Sequence, residues 1–312
     1  DLHVRSRRQR QMCIRDRLKA VENTRQLLEN DKVFMIFHST GTAQTAAILP
    51  LIKEQRTLLF GPVTGASVFR ETFNPYVFHV RAGYANEASK IVSQLRQQGI
   101  TRVAVFFQDD GLGKTLAGEL KKASEEEKLP FLAEIKVDPK QPDFAAAAQA
   151  TEKAQPQAVI VATGGTTFTS YIKAVQATTA RPAYYGFSVA SMDVIQRELK
   201  DKARGIILAQ IMPSLRNTTI PVVAEYLSLL RAKSPGAQPS ASQFEGFVHA
   251  RLLVEGLRRT GRNLTTESFS KTMEDAGEIA FGRFSVKYSP RNHNGSTYVE
   301  LAIVDAEGSL RY

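Results

Sequence analysis

Between Lys32 and Ile211 the sequence repeats one pattern: a short, almost continuous apolar run, then a stretch with apolar residues at helical spacing. The runs are KVFMIF (Lys32–Phe37), RTLLFGP (Arg56–Pro62), YVFHVRA (Tyr76–Ala82), RVAVFF (Arg102–Phe107), FLAEIKV, AVIVAT (Ala158–Thr163), AYYGFS (Ala183–Ser188) and GIILAQI (Gly205–Ile211). A strand that is apolar at every position is buried on both faces, which requires a parallel sheet covered by helices on each side. The segments between the runs supply those helices. ANEASKIVSQLRQQG, for example, is amphipathic and closes on Gly99. Strands alternating with helical patterns of about 10–15 residues predict βαβ units. Eight such strands exceed one comfortable sheet, so two doubly wound lobes are expected.

After Pro213 the pattern changes. Two longer helices are predicted over about Thr219–Lys233 and Ser240–Thr260, separated by the breaker-rich SPGAQPS, and a third over Thr265–Asp275. Short strands are expected around Phe281–Val286, Tyr298–Val304 and Ser309–Tyr312. This second block of helices must cover a sheet, and the first lobe is the one short of cover. The chain therefore crosses between lobes more than once.

The first seventeen residues, DLHVRSRRQRQMCIRDR, stand apart from this grammar. They hold six of the 41 Lys and Arg residues and the only cysteine, and no apolar periodicity. With free codon choice Arg7–Arg17 can be written CGT CGG CAG CGT CAG ATG TGT ATA AGA GAC AGR, which resembles the end of a transposase-type sequencing adapter. Residues 1–17 are accordingly expected to be a non-native, adapter-derived segment. Without them 35 basic and 29 acidic residues remain, and the net charge falls from +10 to +6. A balance of that size favours solubility and does not call for nucleic acid as a partner. Setting Cys13 aside leaves no thiol nucleophile and no disulfide framework. The five histidines show no HxxxH or HExxH spacing, so no metal is expected. No run approaches the roughly 18 apolar residues of a membrane span.

In open α/β sheets ligands bind beyond the carboxyl ends of the strands, where helices begin. The loops at those positions are Ser39–Thr42, Pro62–Gly65, Gln108–Gly111, Thr163–Thr167 and Phe187–Val189. Four of the five combine hydroxyls or glycine with a helix start, which suits a carboxylate; the alternative is simple helix capping. Enzymatic readings are weaker. GLGKT (Gly111–Thr115) has a phosphate-loop ending, but Gln108 occupies the position where that motif needs glycine. Asp109 and Asp110 are adjacent and suit a loop end. No G-x-S-x-G elbow is present. His38 and His79 read as structural, and Arg81 either meets an acidic ligand or caps surface charge.

The ordered set VENTRQLLENDKVFMIFHSTGT, LPLIKEQRTLLFGPVTGAS, YVFHVRAGYANEASKIV and RVAVFFQDDGLGK resembles the type I periplasmic binding proteins. Within that group it resembles the leucine/isoleucine/valine-binding-like receptors of ABC importers. PVVAEYLSLL, SQFEGFVHARLLVEGLRR and HNGSTYVELAIV continue the likeness to the C-terminus. The resemblance implies an α/β fold of two doubly wound parallel-sheet lobes joined by three crossings. On this sequence the crossings fall near Arg81–Ala85, Gln210–Pro213 and Asn292–Ser296. Residues 18–83 and 212–293 then form the first lobe, and 84–211 with 294–312 the second. The same resemblance implies a strand, a helix and a second strand ahead of VENTRQLLEN, together with a signal peptide. The first lobe is therefore expected to be incomplete, poorly stable alone and marked by an open groove.

For function, the resemblance implies a non-catalytic periplasmic receptor that closes on a small amino acid or organic carboxylate and docks on permease subunits. A monomer without cofactor is expected, and an amide-sensor-like module of the same fold is the alternative. Matching positions for ligand contact are Ser39, Thr40, Thr42, Pro62, Val63 and Thr64 in the first lobe. In the second they are Tyr84, Leu112, Thr166, Phe168 and Ser188. Two departures stand out: Leu112 replaces a common aromatic, and Ser188 stands where amino-acid binders tend to carry an acid. Arg81, Asp109 and Glu245 are the candidate charge partners, since an unpaired buried ammonium is costly.

Overall fold

The computed structural model describes residues 17–312. The adapter-like segment, with Cys13, therefore lies outside the described residues except for Arg17, which opens the first helix. The chain divides into two compact units. One runs to Gly83 and resumes over Leu215–Tyr298, and the other comprises Tyr84–Ser214 and Val299–Tyr312.

Unit 1 is built on a parallel sheet of β1 (Met35–Phe37), β2 (Leu58–Phe60) and β3 (Val77–Phe78), in that order. One face is covered by α1 (Arg17–Glu29) and α2 (Thr42–Glu54). Ala20 and Leu28 pack there with Ile48, Leu51 and Ile52 against Ile36, Leu59 and Val77. The opposite face is aromatic. Phe269 sets its ring edge-on to Phe34, Phe60 and Phe78 at centroid distances of 6.0, 5.9 and 6.2 Å, a favoured geometry for aromatic pairs. Phe269 belongs to α10 (Thr266–Asp275), which follows α8 (Pro221–Lys233) and α9 (Ala241–Thr260). The late helices thus supply the missing cover of the first sheet.

Two expected strands take other forms. The run Tyr76–Ala82 forms a ladder only at Val77 and Phe78, because the chain beyond turns to a different neighbour. His79 N–H donates to His293 O (2.9 Å), and Ser296 N–H donates to Val80 O (3.2 Å). The segment around Asn292–Ser296 thus lies beside His79 and Val80, and unit 1 extends to Tyr298. Around Phe281–Val286 the structure holds a hairpin, β9 (Glu278–Phe281) and β10 (Phe284–Lys287). Gly282, at φ +76, makes the two-residue turn possible.

Unit 2 carries seven strands in the order β12-β11-β8-β7-β6-β4-β5. β4 (Val103–Gln108), β5 (Ala133–Val137), β6 (Ala158–Ala162), β7 (Ala183–Gly186) and β8 (Ile207–Gln210) are parallel. β11 (Glu300–Val304) and β12 (Leu310–Arg311) add antiparallel to that edge. The intervening helices are α3 (Tyr84–Gln97), α4 (Gly111–Glu126), α5 (Phe144–Ala154), α6 (Gly165–Gln176) and α7 (Met192–Leu199). Phe106 stacks on Tyr171 with centroids 3.7 Å apart, and the Tyr171 hydroxyl lies 2.7 Å from Thr151 Oγ1. The winding reverses between β4 and β6, and such a switch point opens a crevice at the strand ends.

Unit 1 contains four histidines whose pKa burial pushes below the ordinary imidazole value: His38, His79, His249 and His293. Such groups stay neutral in the folded unit and take up protons when the chain unfolds. Their contribution is intact above about pH 6.5, where both states are neutral. It is lost as pH falls towards the depressed folded values. Urea unfolding is therefore expected to need less denaturant at pH 5.5 than at pH 7.5. A midpoint that rises on acidification would contradict this.

Candidate functional site

In unit 1 the strand ends and the first turn of α2 bring the expected hydroxyls together. Thr42 Oγ1 lies 2.9 Å from Thr64 Oγ1, and Ser39 Oγ lies 3.2 Å from Thr45 Oγ1. The loops beyond β1 and β2 stay in parallel register: Thr40 bridges to Val63, and Val63 N–H donates to Ser39 O at 2.7 Å. Gly41 precedes α2 at φ +99, and no side chain caps that helix. Thr64 is buried and accepts from Ala66 N–H (3.3 Å). Pro62 is buried beside it, whereas Thr40 is exposed. The arrangement concentrates hydroxyl and backbone donors at the positive end of a helix, where an anion is stabilised.

The candidate charges of this unit are already matched to one another. Arg81 Nη1 contacts Glu245 Oε1 at 3.3 Å, and both side chains are largely buried. His249, from the next turn of α9, places Nε2 3.9 Å from the same oxygen. Its Nδ1 lies 3.2 Å from Gly61 O and 3.0 Å from His38 Nδ1. A carbonyl only accepts, so His249 carries its proton on Nδ1, and His38 Nδ1 is an acceptor. Burial, then His38 and Arg81, hold the His249 pKa well below the ordinary value. Gly61 is required on two counts: its φ is +63, and a Cβ would stand 2.7 Å from His249 Nδ1. The sequence reading treated His38 as structural but missed His249, whose partners lie 188 and 211 residues away.

In unit 2 the switch-point loops are tied by side chains. Asp110 caps α4 by accepting from Gly113 N–H (2.8 Å) and also accepts from Gln108 Nε2 (2.8 Å). Gln108 Oε1 in turn accepts from Thr167 Oγ1 (2.7 Å). An aspartate at this helix start leaves GLGKT as the first turn of α4, with a carboxylate where a phosphate loop would need its anion. Gly113 is fixed by packing, since a Cβ would stand 1.9 Å from Gln108 O.

Asp109, expected as a charge partner, is committed elsewhere. It pairs with Lys114 (2.8 Å) and Lys136 (3.7 Å), and the Lys114 hydrogen bond is the main cause of its lowered pKa. Leu112 is half-buried in the first turn of α4, and Thr166 is exposed in the first turn of α6. The Phe168 side chain lies wholly in the hydrophobic core of unit 2, where it fills the space above Gly186. At this position, expected for ligand contact, the side chain therefore faces the core, unlike that of Thr166. Tyr84 is buried against Phe187, with ring centroids 6.2 Å apart.

Ser188, at the end of β7, has a partner the sequence did not reveal. Its N–H donates to Glu87 Oε2 at 2.7 Å, and its hydroxyl donates to Glu87 Oε1 at 2.9 Å. Glu87 is fully buried in the first turn of α3. The pair is separated by 101 residues, and an acidic residue in an amphipathic helix carries no local mark of such a role.

Among the described residues no group of three or more His, Cys, Asp or Glu side chains is placed to hold a metal. No described helix is long and apolar enough to cross a membrane.

Comparison with known proteins agrees with this architecture. The family model described as periplasmic binding protein matches residues 15–309. A substrate-binding periplasmic protein from Ralstonia solanacearum is 27% identical, with a TM-score of 0.85, over 95% of this chain and 85% of that one. An extracellular ligand-binding receptor from Verminephrobacter eiseniae is 25% identical, with a TM-score of 0.85, over 94% and 84%. A possible leucine/isoleucine/valine-binding protein from Rhodopirellula baltica is 24% identical, with a TM-score of 0.86, over 95% and 81%. No curated protein sequence matches the chain. With nearly its whole length matched by the family model, the chain belongs to the periplasmic binding proteins.

Proposed function

We propose that the chain is the solute receptor of an ABC importer, working in the periplasm, and that its ligand is a small α-amino acid. Members of this family bind solutes rather than transform them, and the Rhodopirellula relative is described as a possible leucine/isoleucine/valine-binding protein. The observation that carries the reading is the Glu87–Ser188 pair. A hydroxyl that gives its one proton to a carboxylate keeps only acceptor capacity for any further partner. With a buried carboxylate behind it, Ser188 suits an ammonium group and disfavours a second anion. In unit 1, Ser39, Thr40, Thr42 and Thr64 offer the opposite polarity, suited to a carboxylate.

An amino acid carries both charges, so it answers both units; an organic carboxylate answers only one. On this reading the strand-end loops of the two units share the ligand, hinge movement retains it, and the loaded receptor docks on permease subunits. Thermal-shift and calorimetric titration with valine, leucine and phenylalanine is the direct test, with isovalerate, isocaproate and hydrocinnamate as partners lacking the amine. Binding of an amino acid without product formation is expected. Turnover of any bound compound would overturn the receptor reading, and tighter binding of the deaminated partner would overturn the amino-acid assignment.

A further inference from the structure

Unit 1 holds a polar pocket of about 200 Å³ that shares no residue with the hydroxyl cluster. Two chain segments meet in it: residues 69–74, which lead towards β3, and residues 291–294, which lie beside His79. His79 ties the first segment down, since its Nε2–H donates to Phe69 O at 3.1 Å.

The polar groups of the pocket sort by what they can still bond. Asn74 Oδ1 accepts from Tyr76 N–H, and Asn292 Oδ1 accepts from Asn294 N–H, both at 3.0 Å. Only the oxygen of an amide accepts, so both side chains have a fixed orientation and each keeps an NH2 group that donates. Among the described residues neither NH2 group has a partner, and the exposed Arg291 guanidinium has none either. His293 adds no donor, because its Nε2 is engaged with Glu274 at 3.0 Å. His79 differs in kind. It is buried, its proton is on Nε2, and its Nδ1 therefore carries a lone pair that meets no donor among the described residues. Burial, then the charge of Arg70, hold the His79 pKa well below the ordinary imidazole value, so the lone pair persists at neutral pH. A buried acceptor left unpaired is costly, and a ligand hydroxyl would satisfy it.

We propose that this pocket binds hydrogen phosphate. The phosphate oxygens accept from Arg291 and from the NH2 groups of Asn74 and Asn292, and its hydroxyl donates to His79 Nδ1. Arg70 and Arg291 against the exposed Glu71 leave the lining positive. The volume lies below the roughly 300–1,000 Å³ of pockets for larger organic ligands and suits a small ion. Phosphate keeps a hydroxyl in both of its neutral-pH forms, whereas sulfate offers acceptors only. A site built to accept from a hydroxyl rejects an analogue that lacks it.

Calorimetric titration of the full chain with inorganic phosphate, in a phosphate-free buffer at pH 7, is expected to show saturable binding. Sulfate at equal ionic strength is expected to bind at least tenfold more weakly. Asn74→Asp and Asn292→Asp keep the oxygen that accepts the backbone N–H and replace the donor with an acceptor. Each is expected to retain its turn and to weaken phosphate binding at least tenfold. Arg291→Ala, at an exposed position, is expected to weaken it as well, and does not depend on how the turns tolerate aspartate. Three results would overturn the proposal: no saturable phosphate binding, sulfate bound as tightly as phosphate, or variants whose phosphate affinity equals that of the unaltered chain. The last would put the anion at the hydroxyl cluster instead.

Discussion

Arg81→Met is expected to lower the stability of unit 1 by about 3–5 kcal/mol, the usual cost of removing one partner of a buried ion pair. The Arg81 and Glu245 side chains are only 3% and 11% exposed and stand 3.3 Å apart. Without the guanidinium, the Glu245 side chain is left without its cationic partner in a poorly solvated place beside His249. Urea unfolding at neutral pH measures the loss. The double variant Arg81→Met with Glu245→Leu is expected to recover most of it, because an apolar pair of similar volume needs no charge compensation. A loss below about 1 kcal/mol would place this pair with surface bridges, which contribute little.

The second large effect concerns Glu87. Glu87→Ala removes the acceptor of two Ser188 hydrogen bonds, each of the charge-assisted kind worth about 1.5–3 kcal/mol. Two consequences are expected. The loop after β7 loses its anchor, which amide exchange at Ser188 will report. Affinity for valine falls at least tenfold, the equivalent of about 1.4 kcal/mol, while affinity for isovalerate changes less. Equal losses for both compounds would mean that Glu87 positions the loop without favouring the amine. Glu87→Gln sharpens the distinction, since the amide preserves the shape and removes the charge.

Glu87 also shows where sequence reading stops. Its place in α3 was legible from the amphipathic pattern, but its burial against Ser188 depends on how α3 lies against the end of β7. The departure at Ser188, where an acid was missing, could be read from the sequence. The carboxylate that answers it comes from another element. His249 is the same case: a histidine in a helix becomes part of a buried Arg–Glu–His–His cluster only because α9 crosses the end of β2. Phe168 illustrates the reverse. The resemblance put it among the ligand contacts, and the helical rotation of α6 turned it into the core.

The alternation of apolar runs and helical patterns determined the strands, their parallel pairing and the covering helices, because burial on both faces leaves no other arrangement for such runs. The hydroxyl-rich loops followed from it, since strand ends and helix starts are fixed once the units are. Tertiary structure alone decided the charge pairings and the placing of residues 292–296 beside His79 and Val80. These depend on contacts between residues far apart in the chain, where side-chain geometry decides which groups meet and local sequence carries no signal of distance.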